Sequence, residues 1–460
     1  MVADSNFSEA SMEMIFQYMW KHKMLPRPAF TVDGRKVEIL SAGVLNVDSG
    51  PDFTGARIRI DGQEWVGNVE IHTNASDWYR HNHQTDPAYE NVILHVVRRS
   101  DGKVTLSDGR ILPQLELPYS DTFGKMYLDL SRRIRAVPCE GYLHALPPLI
   151  KSDWVSTLAV ERLQAKAERI SQTAESLGGD WERACFVTLA RALGFGLNGD
   201  PLEMLARSVP LKFLLRHSDH PLQLEALLFG QAGMLDSSCH IFDEYYQLLC
   251  REYYFLARKY GLHPIRVDLW KYARTRPGNF PHRRIAMLAS SLKGGFSLMG
   301  KIVEARQDPA RLRSLFAFGL SDYWKEHFDF DRPGAELPVE LSQGSVSLLM
   351  INFAAPLIAA VARRRGDFEM GEHAFNLWES IAPERNRYIT QWAAAGMDCR
   401  TAADSQALLQ LRKEYCDRER CLECRLGHAL LRRSLLTPTE TAGMLSPFDI
   451  PLEPSAPAQG

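Results

Sequence analysis

The sequence has no excess of charge of one sign, since 54 basic residues face 56 acidic ones and the net charge is −2. No global basic field therefore indicates a nucleic-acid partner, although a local basic groove is compatible with this balance. The 31 glycines and 25 prolines follow no triplet repeat, which excludes collagen. With 460 residues, 45% of them hydrophobic, the composition is that of a globular chain of about three domains.

Export and membrane signals are also lacking. Residues 1–20 have no basic stretch followed by a clean apolar run, so they do not resemble a secretory signal. The longest apolar segment, residues 346–362, is short for a membrane span and is interrupted by Ser347, Asn352 and Pro356. We therefore expect a buried core helix, no membrane partner and a cytoplasmic location. The eight cysteines are then expected to be thiols or metal ligands rather than disulfides.

Hydrophobic periodicity divides the chain into an α/β part and a helical part. An amphipathic helix is predicted near the N-terminus, with Met12, Ile15, Phe16 and Met19 on one face. Strands are predicted at 37–41, 56–60, 64–71 and 92–97, and a short helix before the last of them. The order helix, three strands, helix, strand predicts an α+β protein that begins with an α/β domain.

From about residue 150 the apolar spacing becomes helical. We predict four segments: an α/β domain, a large mostly α-helical domain, a helical segment rich in cysteine, and a disordered proline-rich tail. Their respective bounds are 1–135, 136–395, 396–440 and 441–460.

Two acidic residues in the α/β domain form the first candidate site. Asp52 follows Pro51 in a turn before the second predicted strand, and Glu70 and His72 lie on the third. Residues two apart on a strand share a face, so Glu70 and His72 point the same way. If the strands are neighbours, Asp52 approaches Glu70, and a divalent cation relieves their repulsion. Oxygen ligands suit Mg²⁺ or Mn²⁺, which can activate a water molecule.

This arrangement resembles the PD-(D/E)XK nuclease superfamily, which has the same element order and a Pro-Asp followed by an acid, any residue and Lys. The resemblance implies a restriction-endonuclease-like domain in which Asp52 and Glu70 bind the metal. It also implies that Glu13, or alternatively Glu9, supplies the additional acid that some members carry on the first helix. His72 stands in place of the Lys and would activate water. Further polar side chains crowd into the following segment: Asp77, His81, His83, Asp86 and His95.

A cysteine cluster near the C-terminus forms the second candidate site. Cys416, Cys421 and Cys424 are separated by four and two residues, which is typical of thiolates that wrap one soft ion. The same spacing also suits an iron–sulfur cluster. The fourth ligand would be Cys399, His428 or Cys139, of which we favour Cys139. A closed site with four ligands, holding zinc or a cluster, would be structural.

A basic and aromatic stretch at 270–284 is a candidate nucleic-acid contact, because guanidinium groups pair with phosphates and aromatic rings stack on bases. Its basic residues are Lys271, Arg274, Arg276, Arg283 and Arg284. The alternative is a solvated loop anchored in the core by its aromatic side chains.

The chain as a whole resembles an uncharacterised bacterial family, domain of unknown function 2851. The resemblance is carried by residues 46–53, 67–72, 76–78, 92–95, 225–233 and 415–424. It implies relatives but no activity. Our hypothesis is a metal-dependent nuclease, or a nucleic-acid-binding protein derived from one, with DNA or RNA as partner. The alternatives are a non-catalytic assembly protein with a structural metal near the C-terminus, and an iron–sulfur protein.

Overall fold

The computed structural model describes residues 9–25, 28–46, 48–117, 121–131, 137–236, 243–273, 275–334 and 337–435. Outside the described residues lie Arg274 and the predicted tail at 441–460. The side chain of Glu9 is likewise not described. Contacts between residues divide the chain into two compact units. The N-terminal unit comprises Met1–Lys151 and Tyr415–Gly460, and the helical unit comprises Ser152–Glu414. The cysteine segment after residue 414 thus belongs to the unit that contains the sheet.

The N-terminal unit begins with helix α1 and a sheet whose central strands include the four predicted runs. The elements are α1 Glu9–Lys21, β1 Ala29–Phe30, β2 Lys36–Ser41, β3 Val44–Leu45, β4 Phe53–Ile60, β5 Gln63–Asn74, α2 Asp77–Arg80, β6 Val92–Arg99, β7 Gln114–Glu116 and α3 Asp121–Ser131. The protein is therefore α+β, as the sequence predicts.

The sheet is mixed, and its order brings the candidate residues together. The strands lie in the order β1-β2-β4-β5-β6-β7, and β3 also pairs with β4. Antiparallel pairs join β2, β4 and β5, whereas β6 runs parallel to β5 and β7 runs parallel to β6. A parallel pair requires a crossover connection, and α2 with two 3₁₀ turns supplies it. This crossover carries the histidines at 81 and 83.

Helix α1 packs on β5 through its apolar face. Ile15, Phe16 and Met19 are fully buried, as the helical spacing predicts. Within the sheet, Gly67 of β5 allows the neighbouring strand β6 and the turn before it to lie close. A Cβ atom there would lie 2.5 Å from Ile93 Cγ2 and 2.6 Å from the carbonyl oxygen of Asn91. Any larger residue would push the two parallel strands apart close to Glu70.

The helical unit contains most of α4, Pro148–Ser176, and the helices that follow it up to residue 414. They are α5 Trp181–Leu193, α6 Gly199–Ser208, α7 Leu211–Leu215, α8 Pro221–Gln231, α9 Glu244–Tyr260, α10 Pro281–Ser290, α11 Leu298–Glu304, α12 Pro309–Ser314, α13 Asp322–Glu326, α14 Gln343–Leu349, α15 Ala355–Arg365, α16 Phe368–Glu379, α17 Arg387–Ala394 and α18 Ala402–Gln410. A small hairpin, β8 His327–Asp329 and β9 Arg332–Pro333, lies among them. The last helix, α19 Arg425–Leu435, belongs to the N-terminal unit.

The apolar segment at 346–362 lies in one continuous helical run. In the part of the chain that the structure describes, Gln343–Arg365 is the one helix long and apolar enough to cross a membrane, and 72% of its most apolar window is buried inside the protein. Such burial is typical of a core helix, as expected. A π-helical turn at Met350–Ala354 interrupts it just before Pro356, whose missing N–H breaks the regular hydrogen-bond ladder.

A buried carboxyl group in the helical unit makes its stability depend on pH. Glu225 on α8 is 4% exposed and accepts a hydrogen bond from the hydroxyl of Tyr245. Burial raises the pKa of Glu225 from 4.5 to about 7. The folded state therefore favours the protonated form. Its contribution is fully present below pH 4.5 and is lost as the pH rises through about 7.

We therefore expect the free energy of unfolding to fall by roughly 1–3 kcal/mol between pH 5.5 and pH 8.5 through this group. Glu225→Gln should remove that part of the decrease, because a neutral amide still accepts the tyrosine hydrogen bond. Urea unfolding at the two pH values measures the effect. The control is Glu244→Gln, an exposed acid on α9. An unchanged pH profile in Glu225→Gln would contradict the assignment.

Candidate functional site

The site is built on one face of the parallel strands β5 and β6. Glu70 and His72 are two residues apart on β5, and the register sets Glu70 opposite His95 on β6. All three side chains are at most 5% exposed. His72 Nδ1 lies 2.9 Å from His95 Nε2, so the two rings share a hydrogen bond. The period of the strand thus places a carboxylate and two imidazoles in one buried polar layer.

Asp52 enters this layer from the turn before β4. Its backbone N–H donates to Glu70 Oε2 at 3.0 Å, and its own Oδ2 accepts from the N–H of Ile71 at 2.9 Å. The amide of Gln17 on α1 donates to the other oxygen of Asp52 at 2.8 Å. The two acids therefore adjoin across β4 and β5, as the spacing of the motif predicts. Gln17 is a partner that sequence reasoning did not identify.

The crossover supplies two more imidazoles. Helix α2 ends at Arg80, and Asn82 then adopts a left-handed conformation with φ of 62°. This turn places His81 and His83 on either side of Asn82, and both face the strand layer. His81 Nδ1 lies 3.1 Å from His72 Nε2, and His83 Nε2 lies 3.3 Å from Glu70 Oε1. The ring of His83 is stacked on Tyr89, which fixes its orientation.

The donor atoms converge at the spacing of a metal-coordination shell. The nearest nitrogens of His72, His81 and His83 all lie within 4.8 Å of one another. Glu70 Oε1 adds a fourth donor, 3.4 Å from His72 Nε2. Ligands about 2.0–2.1 Å from a tetrahedral ion lie roughly 3.3–3.4 Å apart, which is close to these distances. These four residues could therefore hold a metal ion without large rearrangement.

The acids of the site have raised pKa values. Burial, and next the charge of Glu70, raises the pKa of Asp52 to about 7. Burial also raises the pKa of Glu70 to about 8, assisted by the charge of Glu13 and opposed by the hydrogen bond from Asp52. Glu13 on α1 has a pKa of about 7, raised by burial and then by Asp52 and Asp77. A cation would relieve the repulsion among these carboxylates.

The histidines shift in the opposite direction. Burial, followed by the neighbouring imidazoles, holds the pKa of His72 far below its usual range, and the pKa of His95 falls to about 3. The pKa values of His81 and His83 are also lowered, first by burial. These rings are therefore neutral at pH 7, which is the form that ligates metals.

Two buried polar atoms of the site lack a hydrogen-bond partner within the described ranges. They are Oε1 of Glu13 and Nδ1 of His95. Buried polar atoms in native proteins are rarely left unsatisfied, so each indicates a function or a bound group. Glu13, which the resemblance implies as the additional acid, thus has an unengaged buried oxygen, and its charge neighbours are Asp52 and Asp77.

The cysteine cluster lies in the N-terminal unit. Cys139, Cys416, Cys421 and Cys424 are all buried, at 6–7% exposure. Burial and then the neighbouring Cys424, Cys416 and Cys421 raise the pKa of the Cys139 thiol. Gly427, in the first turn of α19, allows the backbone at Cys421 to lie against the helix, because a Cβ atom at position 427 would collide with the carbonyl oxygen of Cys421. The loop is therefore packed tightly against the start of the helix.

The other proposed fourth ligands have different surroundings. His428 Nδ1 lies 3.1 Å from the hydroxyl of Tyr18, which also donates to the carbonyl oxygen of Leu422 at 3.2 Å. Cys399 belongs to the helical unit, where burial and Asp404 raise its pKa to about 11. Cys139 is thus the candidate whose electrostatic neighbours are the three cysteines of the run.

The basic stretch is mostly internal. Arg283 is fully buried and donates to the carbonyl oxygens of Trp324, His327 and Pro338. Arg284 is 5% exposed and lies over the ring of Phe195 at 4.7 Å. These two guanidinium groups hold loops of the helical unit, so they are not available to phosphates.

Two basic residues of the stretch are exposed, namely Lys271 and Arg276. Arg274 lies outside the described residues. A nucleic-acid contact in this region, which stays a prediction, would depend on these positions. The sequence signal misleads at 283 and 284 because α10 is buried on all sides from Pro281 to Ala289, so its basic residues have no side that faces solvent.

Comparison with known proteins gives a family without an activity. No curated protein and no solved structure matches the chain. A family model matches residues 13–387, a range that begins at Glu13, contains the whole Glu70 and histidine cluster and ends before Cys416. The chain therefore belongs to the family described as "Protein of unknown function (DUF2851)".

Proposed function

We propose that the N-terminal unit is a metal-dependent hydrolase that cleaves phosphodiester bonds in DNA or RNA. The observation that carries the proposal is the convergence of Glu70 Oε1 with the ring nitrogens of His72, His81 and His83. A bound divalent ion would lower the pKa of a water molecule and polarise the phosphate. His81 is exposed, so the layer is open to solvent on the side of the crossover.

The donor set bears on the kind of metal. Three imidazoles and one carboxylate suit Zn²⁺ or Mn²⁺ better than Mg²⁺, which prefers oxygen ligands. We therefore infer a transition metal at this site rather than Mg²⁺. His95 supports the ligand set from behind, because its Nε2 pairs with His72 Nδ1 and fixes the nitrogen that His72 presents.

The order of elements supports the resemblance to PD-(D/E)XK nucleases. Helix α1, the antiparallel strands β2, β4 and β5, a crossover and the parallel strand β6 follow one another as in that core. Asp52 precedes the second core strand and Glu70 lies on the third. The crossover, however, holds a four-residue helix and two 3₁₀ turns, and it contributes the two additional histidines.

The residues of this chain divide the work as follows. His72 serves as a ligand rather than a base, since its Nδ1 is engaged with His95 and its Nε2 faces His81 and Glu70. Asp52 holds the end of β4 against β5. Glu13 accepts the proton of the attacking water, because one of its oxygens is buried and unengaged within the described residues and lies next to the acids of the site.

Glu70→Gln tests the activity directly. We expect the purified protein to cleave single-stranded DNA, double-stranded DNA or RNA with Zn²⁺ or Mn²⁺, and Glu70→Gln to reduce the rate by at least about 100-fold. The loss of one anionic donor explains the expected reduction. Gel assays on labelled oligonucleotides of all three kinds measure it.

The matched control is Glu64→Gln on the same strand, where Glu64 pairs with Arg57 at the exposed start of β5. It should cleave at the wild-type rate. If Glu70→Gln and wild type cleaved equally, the activity would not come from this site.

The second candidate is a non-catalytic assembly protein with structural metals. Four protein donors can close a tetrahedral shell and leave no position for water, and the buried cysteine cluster suits the same role. In that case the protein would retain metal tightly and cleave none of the three substrates. Metal content and cleavage measured on one preparation separate the two functions.

A further inference from the structure

The helical unit contains a large cavity that lies outside the site described above. Its volume is 590 Å³, within the range of small-molecule sites. Five cationic side chains line it: Arg162, Lys166, Arg169, Arg191 and Lys413. Two acidic residues, Glu203 and Glu384, oppose them. The lining is therefore markedly basic in a chain whose net charge is −2.

Part of this positive charge is neutralised and part is not. Glu203 forms ion pairs with Arg169 at 3.2 Å and with Arg191 at 2.7 Å. Arg162 instead donates to the amide oxygens of Gln406 and Gln410, each at 3.4 Å, and Lys166 donates to Asn352. Neutral amides hold these two cations in position without cancelling their charge.

Glu384 opposes these cations, because its charge acts on both Arg162 and Lys166. One oxygen of Glu384 accepts hydrogen bonds from Asn352 at 3.2 Å and from Gln406 at 2.7 Å. Burial, and next the charge of Arg162, lowers the pKa of Lys166 to about 7. Arg162, Arg169 and Lys413 act on Lys166 in this direction and Glu384 acts against them, so positive charge is in excess around the lysine and a bound anion would stabilise its charged form.

The backbone is irregular where it meets the cavity. Both π-helical segments among the described residues, Met350–Ala354 and Leu411–Cys416, contribute a lining residue, Asn352 and Lys413 respectively. Single π turns inside helices are found frequently at functional sites. Here they direct an amide and an ammonium group towards the same space as α4.

We propose that this cavity binds an organic phosphate of about nucleotide size, with Arg162, Lys166 and Lys413 holding the phosphate. Guanidinium and ammonium groups are the usual phosphate ligands of proteins. The apolar lining, which includes Ile170, Val187 and Phe195, provides a surface for the organic part. This second binding function is independent of phosphodiester cleavage.

The test is calorimetric titration of the full chain with adenosine 5′-monophosphate, inorganic phosphate and adenosine. EDTA is present and the His83→Asn variant is used, so that the N-terminal metal site takes no phosphate. We expect the nucleotide to bind more tightly than phosphate, and adenosine not to bind. Lys166→Gln should weaken nucleotide binding about tenfold, the value of one charge-assisted hydrogen bond. Lys413→Gln should weaken it in the same direction.

The control is Lys301→Gln, an exposed lysine on α11 that should leave binding unchanged. Lys413 is exposed, so its replacement tests the proposal even if Lys166→Gln destabilises the fold. The proposal is overturned if neither phosphate compound binds. It is also overturned if adenosine binds as well as the nucleotide, or if citrate, titrated as an anion without phosphate, binds more tightly than the nucleotide. The same holds if folded Lys166→Gln and Lys413→Gln bind the nucleotide like wild type.

Discussion

Removing His81 and His83 together is expected to lower the affinity of the Glu70 and histidine site for Zn²⁺ by at least about 10,000-fold. Even partners outside the coordination shell are worth about 10–100-fold each, and these two residues supply donor atoms. The remaining Glu70 and His72 would bind an ion as an open two-donor site. The variant is His81→Asn/His83→Asn, measured by competition with a chromogenic zinc chelator.

The position of these residues makes the experiment clean. His81 is exposed and the side chain of His83 is 12% exposed, and both lie in the crossover rather than on a core strand. Replacing them should therefore leave the sheet intact. The matched control is His144→Asn/His263→Asn, two exposed histidines outside the cluster. Equal zinc affinity of the site variant and wild type would reject the four-donor site.

Loss of the cysteine-bound metal is expected to have the largest effect on stability. We propose that Cys139, Cys416, Cys421 and Cys424 hold one zinc ion or an iron–sulfur cluster. Structural zinc contributes about 10 kcal/mol or more to the folding of small metal-dependent segments. Cys421→Ser should therefore reduce the metal content by one equivalent, lower Tm and expose the loop that packs on α19.

Elemental analysis, thermal unfolding and limited proteolysis after residue 414 measure these effects. Cys185→Ala is the control, because Cys185 is a fully buried cysteine on α5 of the helical unit. A brown colour on anaerobic purification would identify a cluster instead of zinc. If Cys421→Ser retained all its metal and its Tm, the cluster would not be a metal site.

The two candidate metal sites both have contacts to helix α1. Glu13 lies on the same helix as Tyr18, and Tyr18 contacts both Leu422 and His428 beside the cysteine run. A metal held by the cysteines would thus fix the C-terminal half of α1, through Tyr18, and with it the position of Glu13 on the same helix. Because the sites have separate ligands, the effects of the histidine and cysteine variants on metal content should add.

Much of the strand half of the site was predictable. The period of two along a strand places Glu70 and His72 on one face without knowledge of the fold. The Pro-Asp turn and the spacing of 18 residues indicate that Asp52 meets Glu70, and the two residues are hydrogen-bonded. The apolar face of α1 likewise follows from the spacing of its buried residues.

The crossover half was less accessible to sequence reasoning. Four histidines within 24 residues indicated a polar site but not which rings converge. Their convergence depends on the left-handed backbone of Asn82, which reverses the chain between His81 and His83. A regular helix would direct residues two apart to different sides. The signal that sequence could offer is the His-Asn-His triplet, since asparagine tolerates this conformation.

The cavity shows a similar division. Arg162, Lys166 and Arg169 recur at helical spacing on α4, which is a readable stripe of one charge. A stripe of cations on a helix is ordinarily a solvated face. Nothing in the local sequence indicates that other helices pack around this stripe. Asn352 and Lys413 come from positions about 190 and 250 residues away, as the chain folds.

The sequence by itself determined helix α1, the four central strands of the sheet, the pairing of Asp52 with Glu70 and the core character of Gln343–Arg365. These properties depend on local periodicity and on neighbouring strands, which short-range physics specifies. Only the tertiary structure decided that Arg283 and Arg284 are internal, that His81 and His83 join the acids, and that distant helices together form a basic cavity. Burial and convergence depend on which distant segments cover a residue, and that information is spread over the whole chain.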